Sequence, residues 1–349
     1  MKYFDGHNDV LLKLHLEENI NPVHEFYNGN NFCQIDYPKI IKSNFSGGFF
    51  AIFVPDSKPD NDFFNRMNKD RYDFPLPNQI SSKFAYESTM NMIDILKDIE
   101  NSSKNEIKIC KSGKELDYCI KNNKVGIILH IEGAECIDKD FNSLDTLYNL
   151  GLRSIGIVWS RNNIFASGVP FSFPSSPDRG AGLTKIGIEL VKLCDERNIL
   201  LDLSHINQKG FYDVANTSTK PLIATHSNAH FITKHSRNLT DDQLNAIKSS
   251  NGIVGINFAT AFLRKDGKML EECALTNITD HLEHLLKILG EDRVAIGSDF
   301  DGAIVPKEIK DLSGIINLEN YLFNQGYSKK LIEKIFYKNW LNFLVQNLI

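Results

Sequence analysis

Eight short apolar segments are spaced along almost the whole chain, and this spacing limits the fold more than any other feature of the sequence. The segments are KYFDGHND, GGFFAIFVP, VGIILHIEG, RSIGIVW, ILLDLSH, PLIATHS, GIVGINF and RVAIGSDFDG. Helical patterns separate most of them, and strands that alternate with helices indicate parallel βαβ units. Near-continuous hydrophobicity is typical of strands that are covered on both faces. Eight such units predict an α/β fold of the TIM-like (β/α)₈ barrel type.

The length of 349 residues is ordinary for one such barrel, and no linker or internal repeat divides the chain. We therefore expect a single domain over residues 1–349, closed by an amphipathic C-terminal helix in SKKLIEKIFYKNWLNFL. Residues 15–45 and 56–80 are rich in Asn, Asp and Pro and predict long early loops. Residues 161–182 predict a long Gly-, Pro- and Ser-rich loop after the fourth strand, and loops of this length are usually functional or disordered. The sequence TDDQ at 240–243 predicts a helix capping box.

Charge and cysteine content bear on which partners the protein binds and on the cellular compartment in which it works. The chain has 39 basic and 44 acidic residues, a net charge of −5, which gives no indication of nucleic acid or an anionic membrane as a partner. None of the six cysteines stands in a CxxC pair, and scattered cysteines are typical of buried thiols in a reducing compartment. The sequence shows no signal-peptide pattern and no apolar run of the ~20 residues that a membrane span needs. We therefore expect a cytoplasmic protein.

Metal-binding residue types stand at the ends of five predicted strands. They are His7 and Asp9 on the first strand, Glu132 on the third, His205 on the fifth, His226 on the sixth and Asp299 on the eighth. Catalytic groups of such barrels lie at the carboxyl ends of the strands, so these side chains should converge on one rim. Six candidate ligands are too many for one tetrahedral zinc ion. The set predicts two divalent metals ~3.5–4 Å apart, bridged by Glu132.

The spacing of the first pair supports this interpretation. Residues two apart on a strand face the same side, so His7 and Asp9 would point at one ion, whereas a helix would separate them. Each candidate also has an ordinary structural explanation; Asp299, for example, could cap a turn. Independent chance would not place such residues at the ends of five strands, and we therefore favour the metal site. His130 shares a strand face with Glu132, and for it a supporting role beside the ligands and a core position both stay open.

Seven motifs extend the pattern over essentially the whole chain, in a fixed order. They are DGHND at 5–9, IEGAE at 131–135, LDLSH at 201–205, THSNA at 225–229, RNLTDDQLNAI at 237–247, GIVGINF at 252–258 and GSDFDG at 297–302. In these motifs the sequence resembles the renal (membrane) dipeptidase family of zinc peptidases. The resemblance implies a barrel of the metal-dependent amidohydrolase type with two zinc ions, or similar divalent metals, per chain. It also implies hydrolysis of the amide bond of dipeptides, with C-terminal D-residues inside the expected range.

The resemblance assigns a role to each matching residue. It implies that His7 and Asp9 bind one metal, that His205 and His226 bind the other, and that Glu132 bridges both. Asp299 matches the family's acid near the first metal, which handles the proton. Arg237 matches the arginine that holds the C-terminal carboxylate of the dipeptide, and the fork of a guanidinium group suits a carboxylate. Family members are commonly dimers, so the resemblance also allows a homodimer.

Two positions depart from renal dipeptidase. Trp159 stands where that enzyme has a histidine at the end of strand four, which is thought to polarise the scissile carbonyl. An indole N–H can donate one hydrogen bond but carries no charge. Phe262 stands where renal dipeptidase has a tyrosine. We expect Trp159 to contact the substrate, and the departures leave substrate range and rate open.

Two other functions fit parts of the pattern. A metallohydrolase acting on lactams, cyclic amides or phosphoesters would keep both metals. Such sites often open with HxH and use a carbamylated lysine as the bridge, whereas this chain has HxD and no lysine at the end of a candidate bridging strand. A catalytically silent metal or peptide binder is suggested by Trp159, but the presence of all six ligand candidates argues against it.

Overall fold

The computed structural model describes residues 1–56 and 62–348. The strands in this part of the chain are β1 (Tyr3–Asn8), β2 (Phe45–Phe53), β3 (Tyr72–Asp73), β4 (Ile107–Ile109), β5 (Val125–Glu132), β6 (Leu152–Gly156), β7 (Ser172–Phe173), β8 (Leu200–Asp202), β9 (Ile223–Ala224), β10 (Ile253–Ile256) and β11 (Val294–Ile296). Eight of them form a nearly closed barrel in the order β1-β2-β5-β6-β8-β9-β10-β11, with every neighbouring pair parallel. Each predicted apolar segment contributes one barrel strand, so the predicted (β/α)₈ architecture is confirmed. The short strand β4, which the sequence did not reveal, pairs with the start of β5.

Helices cover the outside of the barrel. They are α1 (Val10–Leu16), α2 (Pro22–Asn28), α3 (Tyr37–Ser43), α4 (Phe63–Arg66), α5 (Ser82–Ser102), α6 (Gly113–Lys121), α7 (Asn142–Leu150), α8 (Lys185–Glu196), α9 (Gln208–Thr217), α10 (Asp241–Ser249), α11 (Thr260–Leu263), α12 (Leu275–Leu289), α13 (Ile315–Asn324), α14 (Lys329–Glu333) and α15 (Asn339–Asn347). Buried positions in α5 recur every three or four residues, which is how an amphipathic helix packs one face on a core. The predicted capping box is present in α10, between Thr240 and Gln243. In the described part of the chain, no helix has both the length and the apolar character needed to cross a membrane.

The C-terminal helical segment packs against the amino-terminal end of the barrel. A π-helical stretch, Lys334–Lys338, joins α14 to α15. Trp340 is fully buried there, and its indole nitrogen donates a hydrogen bond to the backbone oxygen of Ile296, at 2.8 Å. Gly6 makes room for this ring, because a Cβ atom at that position would lie 2.8 Å from the indole. The helix therefore plugs the barrel below the strands that carry the candidate ligands.

The prediction of long early loops is wrong for residues 15–45. Helices α2 and α3 lie in this stretch, each with a proline in its first turn. Asn21 and Asp36 are their N-caps, and each side chain accepts a hydrogen bond from a backbone N–H in the first turn. Asn, Asp and Pro are frequent in loops, but they are equally the residues that start helices. Residues 57–61, which belong to the second predicted loop, lie outside the described residues.

A second apolar cluster, which we call the apolar roof, lies beyond the carboxyl ends of the strands. Its buried members are Met67, Tyr72, Phe171, Phe173, Ala259, Ala261, Phe262 and Met269. They come from the segments after β2, β6 and β10. Strands β3 and β7 pair antiparallel here, and the hydroxyl of Tyr72 donates to the backbone oxygen of Gly267, at 2.6 Å. The predicted long loop at 161–182 follows β6 and supplies Phe171 and Phe173 to this roof.

Candidate metal centre and substrate cavity

All six candidate ligands lie at the carboxyl end of the barrel and are buried. Their exposed fractions are 0% for His7, 3% for Asp9, 5% for Glu132, 6% for His205, 0% for His226 and 9% for Asp299. His7 lies on β1, and Glu132 is the last residue of β5. The other four follow β1, β8, β9 and β11 within a few residues. The strand ends therefore bring together every residue that the sequence proposed as a ligand.

Glu132 lies at the centre of the cluster. Its Oε1 atom is 2.9 Å from His205 Nε2, 3.3 Å from His226 Nε2 and 3.6 Å from His7 Nε2. The Nε2 atoms of His205 and His226 are 3.1 Å apart. His7 Nε2 is also 3.5 Å from Asp9 Oδ2. One carboxylate oxygen is thus within reach of imidazoles from three different strands.

Apart from Glu132, the cluster divides into two parts according to the strands that carry its residues. The β1–β11 half-site consists of His7, Asp9 and Asp299, whose ligand atoms all lie within 4.8 Å of one another. The β8–β9 half-site consists of His205, His226 and Arg237. The first part is rich in carboxylates, whereas the second combines two imidazoles with a guanidinium group.

The side chains in this cluster fit a pair of divalent metals. His7 Nδ1, His7 Nε2 and Asp9 Oδ1 are buried without a hydrogen-bond partner, and such atoms are rare in folded proteins. Hydroxyl groups lie at the Nδ1 atoms of the other two histidines, Ser160 Oγ at 3.0 Å from His205 and Thr225 Oγ1 at 2.9 Å from His226. The Nε2 atoms therefore face Glu132. Imidazole nitrogens and carboxylate oxygens are the donors that zinc takes in hydrolases.

The two half-sites differ in electrostatics. Burial lowers the pKa of His7, but the charges of Glu132 and Asp9 outweigh burial and raise it to about 10. Burial and the charge of Arg237 hold the pKa values of His205 and His226 well below their ordinary range. The β1–β11 half-site consequently favours a positive charge, and the β8–β9 half-site keeps its imidazoles neutral, which is their metal-binding form.

Asp299 is held in a strained turn beside the first half-site. Its backbone has φ +63°, and a Cβ atom at Gly302 would lie 2.8 Å from its Oδ1 atom and 2.2 Å from Asp9 Oδ2. Only glycine lets the chain pass so close to both carboxylates. Burial, with the charge of Asp9, raises the pKa of Asp299.

Asn257 orients this carboxylate and was missed by the sequence analysis. Its Nδ2 atom donates to Asp299 Oδ2 at 2.9 Å. The signal was present in GIVGINF, where Asn257 directly follows β10 at the same rim as the ligands.

Arg237 is almost fully buried, with 2% of its surface exposed. It donates to the backbone oxygen of Ser204 and, at 3.1 Å, to His205 Nε2. Its guanidinium carbon lies 5.3 Å from the centre of the Phe262 ring. Burial lowers the pKa of Arg237 to about 10, so it still carries its charge at neutral pH.

A cavity of about 790 Å³ connects the cluster to the apolar roof. Asp9, Glu132, His205 and Asp299 line its floor, and Trp159, Phe171, Phe262 and Met269 line its upper part. The Trp159 ring centre lies 5.9 Å from that of His205 and 4.8 Å from that of Phe53. Trp159 is therefore part of the cavity wall next to the β8–β9 half-site. The volume is in the range of small-molecule sites.

A TIM-like barrel with buried histidines and carboxylates at its carboxyl-end rim is an arrangement typical of metal-dependent hydrolases. Within this class, the match to the membrane dipeptidase family, peptidase family M19, covers residues 1–347, and the chain belongs to that family. It is accordingly a metal-dependent peptidase.

One solved structure and two curated proteins are among those to which this chain is similar. A Rhodobacter sphaeroides metallopeptidase, solved with a phosphinate mimic of the dipeptide L-Ala-D-Ala, has a TM-score of 0.97 and 42% identity, with 99% of each chain covered. A Klebsiella pneumoniae protein described as "uncharacterized protein in pqqA 5'region" is 44% identical over 250 residues, which are 72% of this chain and 92% of that protein. An uncharacterized Acinetobacter calcoaceticus protein from the PQQ-III 3'region is 38% identical over 296 residues, 84% of this chain and 90% of that protein.

Proposed function

We propose that this protein is a binuclear-zinc dipeptidase that hydrolyses the amide bond of dipeptides, those with a C-terminal D-residue included. The observation that carries the proposal is the position of Glu132, whose Oε1 atom lies within 3.6 Å of His7, His205 and His226. A carboxylate that reaches imidazoles of both half-sites has the position that a ligand shared by two metals needs. The L-Ala-D-Ala mimic bound to the Rhodobacter sphaeroides relative supports the substrate class.

The assignment of ligands follows the half-sites. His7 and Asp9 would hold one divalent metal, His205 and His226 would hold the other, and Glu132 would be the ligand that the two share. Bound zinc, or a similar divalent ion, supplies Lewis-acid activation of the carbonyl group and of the attacking water.

Asp299 manages the proton. It accepts a proton from the attacking water and delivers it to the amine that leaves. Asn257 keeps the carboxylate oriented by donating to Oδ2, so that Oδ1 stays available for the proton.

Arg237 binds the C-terminal carboxylate of the substrate. A buried guanidinium group binds an anion more tightly than an exposed one, because water does not compete for its hydrogen bonds. A peptide that extends beyond two residues has no carboxylate at this point, and leaving the buried cation unpaired costs several kcal/mol. Arg237 therefore restricts the substrates to dipeptides. Trp159 forms an apolar wall beside the scissile bond.

The six cysteines are free and buried, which supports the further proposal that the enzyme works in the reducing cytoplasm.

A turnover assay tests the proposed function. The zinc-loaded protein is incubated with L-Ala-D-Ala, with L,L-dipeptides and with the same dipeptides amidated at the C-terminus, and its metal content is measured. We expect about two metals per chain, turnover of the free dipeptides and weak turnover of the amides. Activity confined to lactams or phosphoesters would replace the proposal with the rival metallohydrolase, and metal binding without any turnover would identify a silent binder.

A further inference from the structure

Asp202 lies directly below the β8–β9 half-site and is none of the proposed ligands. Its side chain is 3% exposed. It accepts four hydrogen bonds, from Ser204 N at 3.2 Å, Ser204 Oγ at 2.7 Å, Thr225 N at 2.8 Å and Thr225 Oγ1 at 2.5 Å. Three of these donors point at Oδ1, and the Thr225 hydroxyl points at Oδ2. The carboxylate is consequently fixed in one orientation between the ends of β8 and β9.

The hydrogen bond from the Thr225 hydroxyl to Asp202 determines which nitrogen of His226 carries the proton. An ionised carboxylate only accepts hydrogen bonds, so Thr225 gives its single hydroxyl proton to Asp202. The same Oγ1 atom is 2.9 Å from His226 Nδ1. Since the hydroxyl has no second proton, it must accept here, and His226 must carry its proton on Nδ1. The Nε2 atom of His226, which lies 3.3 Å from Glu132 Oε1, is then unprotonated and keeps its lone pair.

We propose that Asp202 is a positioning residue that, through the hydroxyl of Thr225, holds His226 in the tautomer that binds metal. This inference rests on the proposed function, in which His226 is a ligand. A neutral imidazole coordinates only through its unprotonated nitrogen, and the partner of the other nitrogen selects which one that is. Ser204 adds a second restraint, because its Oγ atom donates to Asp202 and accepts from the backbone N–H of His226 at 3.2 Å.

Asp5 provides a matched comparison below the other half-site. It is also fully buried, and it accepts from the backbone N–H and the hydroxyl of Ser298, at 2.7 and 2.6 Å, and from the backbone N–H of His7, at 3.4 Å. The Ser298 hydroxyl, however, also lies 3.2 Å from the backbone oxygen of His7. It can turn its proton to that carbonyl without changing the tautomer of any imidazole. The two buried aspartates therefore differ in the feature that the proposal needs, which is a hydroxyl group that also contacts the imidazole of a proposed ligand.

The first test replaces each aspartate with asparagine. Three donors face Oδ1 of residue 202, so the amide oxygen of Asp202→Asn takes that side and the NH₂ group donates to Thr225. The Thr225 proton then turns to His226 Nδ1 and moves the imidazole proton to Nε2. We expect one of two metals to bind about 10–100-fold more weakly in a zinc titration of the apo-protein. Asp5→Asn should bind both metals as the wild type does.

The second test leaves both aspartates in place. Thr225→Val keeps the shape of the side chain but removes the hydroxyl, and we expect the same selective loss of one metal. Thr225→Ser keeps the hydroxyl and should restore wild-type affinity. Cobalt(II) absorption spectra of the loaded proteins report whether the geometry of one ion or of both changes, and apo-protein melting temperatures show that each variant folds.

The outcomes separate this inference from the proposed function. If the wild type binds two metals and Asp202→Asn and Thr225→Val do so with unchanged affinity, the positioning role is overturned and the dipeptidase proposal stands. Equal losses in Thr225→Ser and Thr225→Val would also overturn it, since packing rather than the hydroxyl would be responsible. If Asp202→Asn does not fold, the Val and Ser pair decides alone. Failure of the wild type to bind two metals would reject the proposed function first.

Discussion

The two half-sites hold their histidines in opposite electrostatic settings. Around His7, carboxylates outweigh the effect of burial and raise the pKa of the imidazole to about 10. Around His205 and His226, burial and the neighbouring Arg237 lower the pKa values well below the ordinary range. The comparison shows how one rim can serve two tasks. In the proposed mechanism, the β1–β11 half-site stabilises positive charge and transfers the proton, and the β8–β9 half-site supplies neutral ligands beside a cation that binds an anion.

This division gives the substrate a direction. In the proposed mechanism, the carboxylate of the dipeptide is bound on the Arg237 side and the leaving amine receives its proton on the Asp299 side. Glu132 lies between them, so the scissile bond is expected directly above it. Substitutions in the two half-sites should therefore affect different kinetic constants.

Glu132→Gln should have the largest effect because it breaks both half-sites at once. An amide carries no charge and is a poor bridge, and losing an interaction worth several kcal/mol lowers kcat about 10³-fold or more. Metal content should also fall in both half-sites, which elemental analysis of the purified variant measures. A Glu132→Gln protein that keeps two metals and full turnover is incompatible with a shared ligand.

Asp299→Asn should affect only the β1–β11 half-site. Removing the group that transfers the proton lowers kcat by about 10²–10⁴-fold, with KM and metal content nearly unchanged. Asn257→Ala is the milder control, because the carboxylate keeps its chemistry and loses only its orienting bond. A kcat within a few-fold of the wild type would remove Asp299 from the mechanism.

The pH profile tests the same residue independently. Burial raises the pKa of Asp299 above its ordinary 3.8. A base acts only when ionised, so kcat/KM of the wild type should fall as pH falls through the pKa that the Asp299 carboxyl has in the metal-loaded enzyme. The acid limb should be absent from the residual activity of Asp299→Asn. An identical limb in both proteins would assign it to another group.

Arg237→Lys should affect only the β8–β9 half-site, and by less. A lysine keeps the charge but not the two-pronged geometry, and hydrogen bonds between charged groups contribute about 1.5–3 kcal/mol, so KM rises about 10–100-fold. Both kcat and metal content should hold. C-terminally amidated dipeptides are the control. On the wild type their KM should be higher than that of the free dipeptides, and Arg237→Lys should raise it little further.

Asp5→Asn should affect the site least, because residue 5 lies below the β1–β11 half-site. Its expected effect is on the stability of the folded protein. Burial raises the pKa of Asp5 from 3.8 to about 6 in the folded protein. The folded state therefore binds more protons than the unfolded chain between these values, and the wild type loses stability as pH rises through them. The stability of Asp5→Asn relative to the wild type should increase over this window by about 3 kcal/mol at most. Denaturant unfolding of both apo-proteins between pH 4.5 and 7 measures the difference, and a constant difference would contradict the expected charge.

The barrel and the cluster were predictable because both depend on sequence patterns of short range. An apolar run ending in a polar residue, such as the one that ends in Glu132, specifies a strand and the rim at which its last side chain lies. The early helices were not predicted because Asn21 and Asp36 belong to residue types that favour loops and helix starts equally. The expectations of one domain over residues 1–349 and of a homodimer stay predictions.

The supporting contacts could not be predicted for a different reason. The pairing of β3 with β7 joins segments about one hundred residues apart through only two residue pairs, too few to leave a pattern. The tautomer of His226 depends on distances of 2.5 and 2.9 Å around the Thr225 hydroxyl, which sequence spacing does not encode. Trp159 was expected at the cavity and lies there, but its contact with Phe53 required the folded positions of two strands.

The apolar roof has a consequence for how such enzymes diverge. Its side chains come from connecting segments and form a cluster separate from the main core of the barrel. Exchanges at Phe171 or Met269 would reshape the upper part of the cavity while the strands below keep their register. We expect substitutions in the apolar roof to change which substrates the cavity accepts. The residues of the candidate metal centre below it would stay as they are.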